Sequence, residues 1–227
     1  MEDYFKARVP AFNIDNTLPV ARPGLVFIAA SAVIFIICVL AGWTCLATIF
    51  FLLTCFITWF FRDPERPTPP EGFGLSPADG RVIKIETVEE NPYTVGPAKK
   101  VSIFMNVFNV HVNRIPADGR LTAQTYFPGA FLNASFDKAS ENNERNALVL
   151  ETAEGPVAMV QIAGLIARRI VSWVAEGEEL KRGQRFGMIR FGSRVDLYLP
   201  ADSEIMVAIG QKVSAGWSPV WRRPKSN

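Results

Sequence analysis

Leu180-Lys181-Arg182-Gly183-Gln184-Arg185-Phe186-Gly187, running into an apolar stretch that ends at Leu199 and the turn Pro200-Ala201-Asp202, sets the fold expectation for this chain. Glycine and proline return too often for helices of ordinary length, and the residues between them are β-branched or aromatic, so short strands are expected. The same texture extends upstream. Arg81–Val88, Lys100–Val112, Ala147–Glu151, Val157–Gly164 and Gly187–Leu199 each read as a strand. Residues 75–227 are therefore expected to form one mostly β domain (β-rich α+β).

Glycine-punctuated short strands of this kind resemble the barrel-sandwich of lipoyl- and biotinyl-carrier domains. A carrier needs a modifiable lysine at a hairpin tip. Here the corresponding turn presents Gly192-Ser193-Arg194 instead, which weighs against a membrane-anchored adaptor or carrier.

The N-terminal part has a different character. No charged residue occurs from Leu25 to Phe61, about 37 residues, or roughly 55 Å if helical. A single straight span needs only about 20. Two short helices with a break near Gly42 are expected, forming a transmembrane or re-entrant hairpin. Lys6, Arg8 and Arg22 precede the run and Arg62 and Arg66 follow it, so the positive-inside rule places both ends in the cytoplasm. The run is too long, and begins too far from the N-terminus, for a cleaved signal peptide. The expected organisation is a cytoplasmic segment (1–24), a membrane anchor (25–61), a proline-rich linker (62–74) and the β domain (75–227). The linker prolines lack the amide donor that a helix needs.

Composition excludes several function classes. The net charge is +2, from 24 Lys and Arg against 22 Asp and Glu, which gives no reason to expect a nucleic-acid partner. All three cysteines, Cys38, Cys45 and Cys55, lie in the apolar run, leaving no thiol for a disulfide or a nucleophile elsewhere. His111 is the single histidine, so multi-histidine zinc sites are excluded and no metal is expected.

Three features could carry chemistry. In Phe191-Gly192-Ser193-Arg194 the serine oxygen can approach the preceding carbonyl, because glycine adds no side chain and tolerates unusual backbone angles. An N-to-O acyl shift, elimination and loss of ammonia would turn Ser193 into a pyruvoyl ketone. His111 lies in Val107–Arg114, where alternation places Asn109, His111 and Asn113 on one polar strand face. The pentapeptide Pro-Ala-Asp-Gly-Arg occurs twice, at 77–81 and 116–120. It is ordinary turn chemistry, and local sequence makes neither Asp79 nor Asp118 catalytic. Arg168 and Arg169 could pair with a phosphate or carboxylate.

Taken in order, these motifs resemble the phosphatidylserine decarboxylase family in its short membrane-anchored branch, over about residues 59 to 210. The resemblance rests on Phe60-Phe61-Arg62-Asp63-Pro64, Ser76-Pro77-Ala78-Asp79-Gly80, the Asn109–Arg114 segment, Gln161-Ile162-Ala163-Gly164 with Ala167-Arg168-Arg169-Ile170, and Gly187 through Ser193. It implies cleavage between Gly192 and Ser193 into a long β chain and a short α chain that stay together, the latter beginning with a covalent pyruvoyl cofactor. The lipid's amine would form a Schiff base there, carbon dioxide would leave into the ketone's electron sink, and phosphatidylethanolamine would be released.

The resemblance also assigns roles. Ser193, His111 and Asp79 would be the catalytic group, with Asp79 assisting self-cleavage and His111 protonating the old α-carbon. Arg62, Arg66, Asn109, Asn113, Arg114 and Arg168 are candidate substrate contacts. Relative to the longer enzymes, Arg194 stands where Thr or Ser follows the reactive serine, and Arg114 replaces a second histidine. Either His111 serves both steps, or strain and Asp79 activate Ser193. A serine hydrolase would more commonly show a Gly-x-Ser-x-Gly elbow, which is missing around Ser193. The implied location is a bacterial inner membrane with the domain on the cytoplasmic side. An ether-lipid (archaetidylserine) substrate and a homo-oligomer are left open.

Overall fold

The computed structural model describes residues 19–130, 143–164, 169–190 and 192–223. These fall into two units, one up to Glu65 and one from Arg66 onward. The first is a helical pair, α1 (Arg22–Leu40) and α2 (Thr44–Phe60). α1 starts three residues before the uncharged run because Pro23 suits a helix's first turn, where its missing amide is not needed. It ends at Gly42, whose φ of +72° is the left-handed conformation that stops helices. α1 is long and apolar enough to cross a membrane, whereas α2 has 17 residues. The pair is tied internally by Thr54 Oγ1 donating to Ser31 Oγ (3.0 Å) and at its base by Ala21 N donating to Phe61 O (2.8 Å).

The second unit is mostly β. Its strands among the described residues are β1 (Gly74–Leu75), β2 (Gly80–Val88), β3 (Ala98–Met105), β4 (Val112–Arg114), β5 (Gly119–Phe127), β6 (Arg145–Thr152) and β7 (Gly155–Ala163). They continue with β8 (Ile170–Ser172), β9 (Glu179–Leu180), β10 (Arg185–Ile189), β11 (Ser193–Pro200), β12 (Glu204–Ile205), β13 (Lys212–Val213) and β14 (Pro219–Arg222). An eight-stranded antiparallel sheet has the order β13-β2-β3-β11-β7-β6-β5-β9, and two three-stranded sheets have the orders β1-β14-β12 and β4-β10-β8.

This topology is an internal duplication. The large sheet reads the same outward from its central β11–β7 pair: β3 matches β6, β2 matches β5 and β13 matches β9, while the small sheets match each other. The twin Pro-Ala-Asp-Gly-Arg turns mark equivalent points. Leu75 N donates to Pro116 O (2.8 Å), and Arg114 N donates to Pro77 O (3.0 Å). A bulge follows the turn glycine at the same offset in each half, between Val82 and Lys84 and between Leu121 and Ala123. Both glycines are required by close packing, since a Cβ would lie 2.1 Å from Phe104 O at Gly80 and 2.3 Å from Glu151 O at Gly119.

The second half, β4 to β10, is inserted between β3 and β11 of the first. In that half, Thr152 and Gly155 close a tight two-residue hairpin between β6 and β7. The equivalent pair in the first half is Met105 and Ser193, so the hairpin loop there has been replaced by residues 106–192.

Side chains alternate across each strand. Val195, Leu197 and Leu199 of β11, with Ile103 of β3 and Met159 of β7, enter the main core against Phe186, Ile189 and Trp221 of the small sheets. Burying each such side chain is worth about 1.5–3 kcal/mol relative to exposure. Two expected strands are split. Lys100–Val112 breaks after Met105, because the Asn106 side-chain oxygen accepts from Phe108 N and Asn109's accepts from Asn106 N, building a turn. Gly187–Leu199 is also two strands, β10 ending at Ile189 in one sheet and β11 beginning at Ser193 in another.

Candidate active site

Both breaks converge on Ser193. This residue opens β11 at the centre of the large sheet, opposite Met105 on one side and Ala163 on the other. It is fully buried, shares the inner face with Val195, and donates from Oγ to Met105 Sδ at 3.4 Å. Gly192 before it has φ +67°, and a Cβ there would meet nothing within 4 Å. Conformation rather than crowding therefore calls for glycine. The Gly192–Ser193 bond lies on the crossing from β10 to β11.

His111 stands at the same crossing. It immediately precedes β4, and its carbonyl accepts from Ile189 N at 3.4 Å. The expected polar strand face of Asn109, His111 and Asn113 is corrected by the structure: Asn109 belongs to the turn, His111 precedes the strand, and only Asn113 lies within it. His111 and Asn113 are both fully buried, because β4 packs over the inner face of the large sheet. Asn113 Nδ2 points at Met105 Sδ (3.7 Å), and Asn113 Oδ1 accepts from Gln161 Nε2 (2.9 Å). Gly187 makes room, since a Cβ there would come within 3.1 Å of Gln161 Nε2.

Asp79 has other partners. Its carboxylate takes a two-pronged ion pair from Arg66 (2.5 and 2.9 Å) and a hydrogen bond from Ala215 N (2.8 Å). Arg66 also donates to Ala215 O (2.7 Å). Among the described residues the partners of Asp79 are Arg66 and Ala215, and that of the Ser193 hydroxyl is Met105. Arg66, a candidate substrate contact from the sequence, is engaged in this clamp, with its side chain 14% exposed. The geometry explains this, because the linker is laid against the domain: Arg182 donates to the carbonyls of Pro69 (2.6 Å), Pro70 (3.0 Å) and Phe73 (2.8 Å).

The two departures from the longer enzymes have partners of their own. Arg194 alternates to the opposite side of the sheet, where it forks onto Asp196 (2.5 and 2.9 Å) and reaches Ser102 Oγ (3.0 Å). On that face burial, with the Asp196 charge nearby, pushes the Tyr198 phenol well above its usual range. Arg114 donates to Gly183 O (3.1 Å) and packs against Gly216, next to the Asp79 clamp. Arg190, two residues before Gly192, has its guanidinium pKa lowered by burial and by the neighbouring Arg169 charge. Arg62 sits over the Trp59 ring at 4.0 Å within the helical unit. Arg168 lies outside the described residues.

Met105, Gln161 and Asn146 were missed from the sequence as site neighbours. The available signal was a polar Gln161 inside the apolar run Val157–Gly164.

Fold and site together define a β-domain protein with an apolar helical pair and a serine buried where, among the described residues, a hairpin is opened by an inserted half. The phosphatidylserine decarboxylase family profile matches residues 53–220. Similar proteins include the phosphatidylserine decarboxylase proenzymes of Burkholderia ambifaria strain MC40-6 (56% identity, covering 86% of this chain and 92% of the relative) and Paraburkholderia phymatum (55%, 86% and 93%). That of Burkholderia multivorans is 56% identical over 86% of this chain and 92% of its own. The chain belongs to the phosphatidylserine decarboxylase family.

Proposed function

We propose that this chain is a phosphatidylserine decarboxylase, releasing carbon dioxide from the serine headgroup and leaving phosphatidylethanolamine. It cleaves itself between Gly192 and Ser193, and residue 193 becomes the pyruvoyl group. That group supplies the ketone electron sink for loss of carbon dioxide. The observation that carries this reading is the seat of Ser193: the first residue of a strand gripped on both sides, reached through a left-handed glycine on the crossing between sheets.

A cut there leaves the fold intact, because residues 193–223 are woven through the rest. β11 lies between β3 and β7, β13 pairs with β2, and β14 pairs with β1. The two chains therefore remain one unit. His111, at the crossing and fully buried, holds and delivers the proton to the substrate α-carbon. The buried setting excludes bulk water from the reacting atoms. The apolar helices keep the enzyme in the bilayer that holds its diacyl substrate, with the catalytic domain on the cytoplasmic side of a bacterial inner membrane.

The test uses purified protein in phosphatidylserine vesicles and phenylhydrazine, which consumes ketones. Carbon dioxide release should stop as one equivalent of label appears on the 193–227 fragment. Continued release with that fragment fully labelled, or inactivation with the label elsewhere, contradicts the proposal.

A further inference from the structure

Four amide side chains, three of them buried and Gln124 half-buried, form a head-to-tail row that ends beside Ser193. Gln124 Nε2 donates to Asn146 Oδ1 (3.4 Å), and Asn146 Nδ2 donates to Gln161 Oε1 (3.0 Å). Gln161 Nε2 donates to Asn113 Oδ1 (2.9 Å), and Asn113 Nδ2 points at Met105 Sδ (3.7 Å). Every donor faces the same way, so the dipoles add and each bond polarises the next. Gln161 and Asn113 are fully buried and Asn146 nearly so. Desolvating amides is costly, and a row of leucines would fill this space at little loss. Yet the row delivers its polarised N–H to a thioether, a weak acceptor. The Ser193 hydroxyl rests on that same sulfur.

The chemistry proposed for Ser193 gives this arrangement a purpose. In the first step Ser193 Oγ bonds to the Gly192 carbonyl carbon, its proton passes to the residue 193 nitrogen, and the old C–N bond breaks to leave an ester. In the second, Cα of residue 193 loses a proton and the Cβ–Oγ bond breaks. Oγ then departs with the bonding pair as an oxygen of the new Gly192 carboxylate. Negative charge thus develops on the atom that now shares a sulfur with Asn113, and the sulfur has no proton to offer.

We propose that Asn113 is the donor that stabilises the departing carboxylate, and that Gln161, Asn146 and Gln124 are positioning residues that keep its N–H turned toward that oxygen. This rests on the self-cleavage reading above. Preorganised donors aimed at developing charge typically contribute a hundredfold or more in rate.

The test is a time course of intact mass for the full-length chain in detergent, with and without hydroxylamine. In Asn113→Leu the ester should accumulate. Its mass equals that of the uncut chain, but hydroxylamine splits it into a 1–192 hydroxamate and a 193–227 fragment that begins with serine. The wild type run alongside should give a pyruvoyl-bearing fragment; if it does not, the self-cleavage reading fails and not merely this one. Gln161→Glu keeps the shape but cannot donate to Asn113, and should slow maturation at least tenfold with the same hydroxylamine-labile ester, which a purely structural role would not produce. Wild-type maturation of Gln161→Glu, or a folded Asn113→Leu chain that is blocked without labile ester, overturns the proposal.

Discussion

The two halves of the β domain carry the same turn, Pro-Ala-Asp-Gly-Arg, in the same place, and use it differently. The backbone role is shared: each turn feeds a strand whose glycine presses on a neighbouring carbonyl, and each aspartate accepts from an amide just before a left-handed glycine. Asp79 accepts from Ala215 N, next to Gly216, and Asp118 accepts from Arg182 N, next to Gly183. Asp118 is exposed, whereas Asp79 is buried under Arg66. The closing pairs differ likewise. Thr152 and Gly155 complete an uninterrupted hairpin, while Met105 and Ser193 flank an inserted half domain. Local sequence fixes the turn; what arrives opposite it decides whether the aspartate is buried and paired.

Breaking the ion pair should give the largest difference between the halves. Removing one partner of a buried pair costs about 3–5 kcal/mol, so Asp79→Asn and Arg66→Gln should each lower the urea midpoint strongly, measured by tryptophan fluorescence in detergent. Asp118→Asn keeps an acceptor at an exposed site and should change stability by no more than about 0.5 kcal/mol. Equal effects for the two aspartates would remove the asymmetry.

The shared role predicts equal losses. Gly80→Ala and Gly119→Ala each force a methyl against a carbonyl oxygen and should cost about 1–3 kcal/mol, as overpacking does. A loss at one glycine only would contradict the equivalence of the halves.

The closing pairs give the smallest and most specific contrast. Thr152→Ala removes the hydrogen bond from Oγ1 to Gly155 O (2.7 Å) and should cost about 1 kcal/mol, with the self-cleavage half-time unchanged on gels. Met105→Leu conserves volume, so stability should fall by less than about 1.5 kcal/mol. Self-cleavage should nonetheless change severalfold, because the sulfur that holds the Ser193 hydroxyl is gone.

Much of the fold was legible in the chain. The uncharged run with Gly42 at its break marked the helical pair, and β-branched runs between Gly and Pro marked β2, β3, β6, β7 and β11 but not β5 or most of the short strands. The repeated pentapeptide was the visible trace of the duplication. The insertion was not legible, because strand order depends on pairings between residues as distant as Met105 and Ser193. The strand breaks were hidden for another reason: Asn106 and Asn109 end a strand through side-chain hydrogen bonds that periodicity does not register. Ser193 stood out through Gly192 and its resemblance to a family. The partnership of Arg66 with Asp79 joins a linker to a turn, and nothing in either segment names the other.

The most direct measurement is intact mass under denaturing conditions, comparing wild type from its native host with Ser193→Ala. Two wild-type fragments, 1–192 and 193–227, with pyruvoyl at the start of the shorter one and an uncut variant, are the expected result. A single wild-type chain with an unmodified serine, in a preparation that decarboxylates phosphatidylserine, would contradict it.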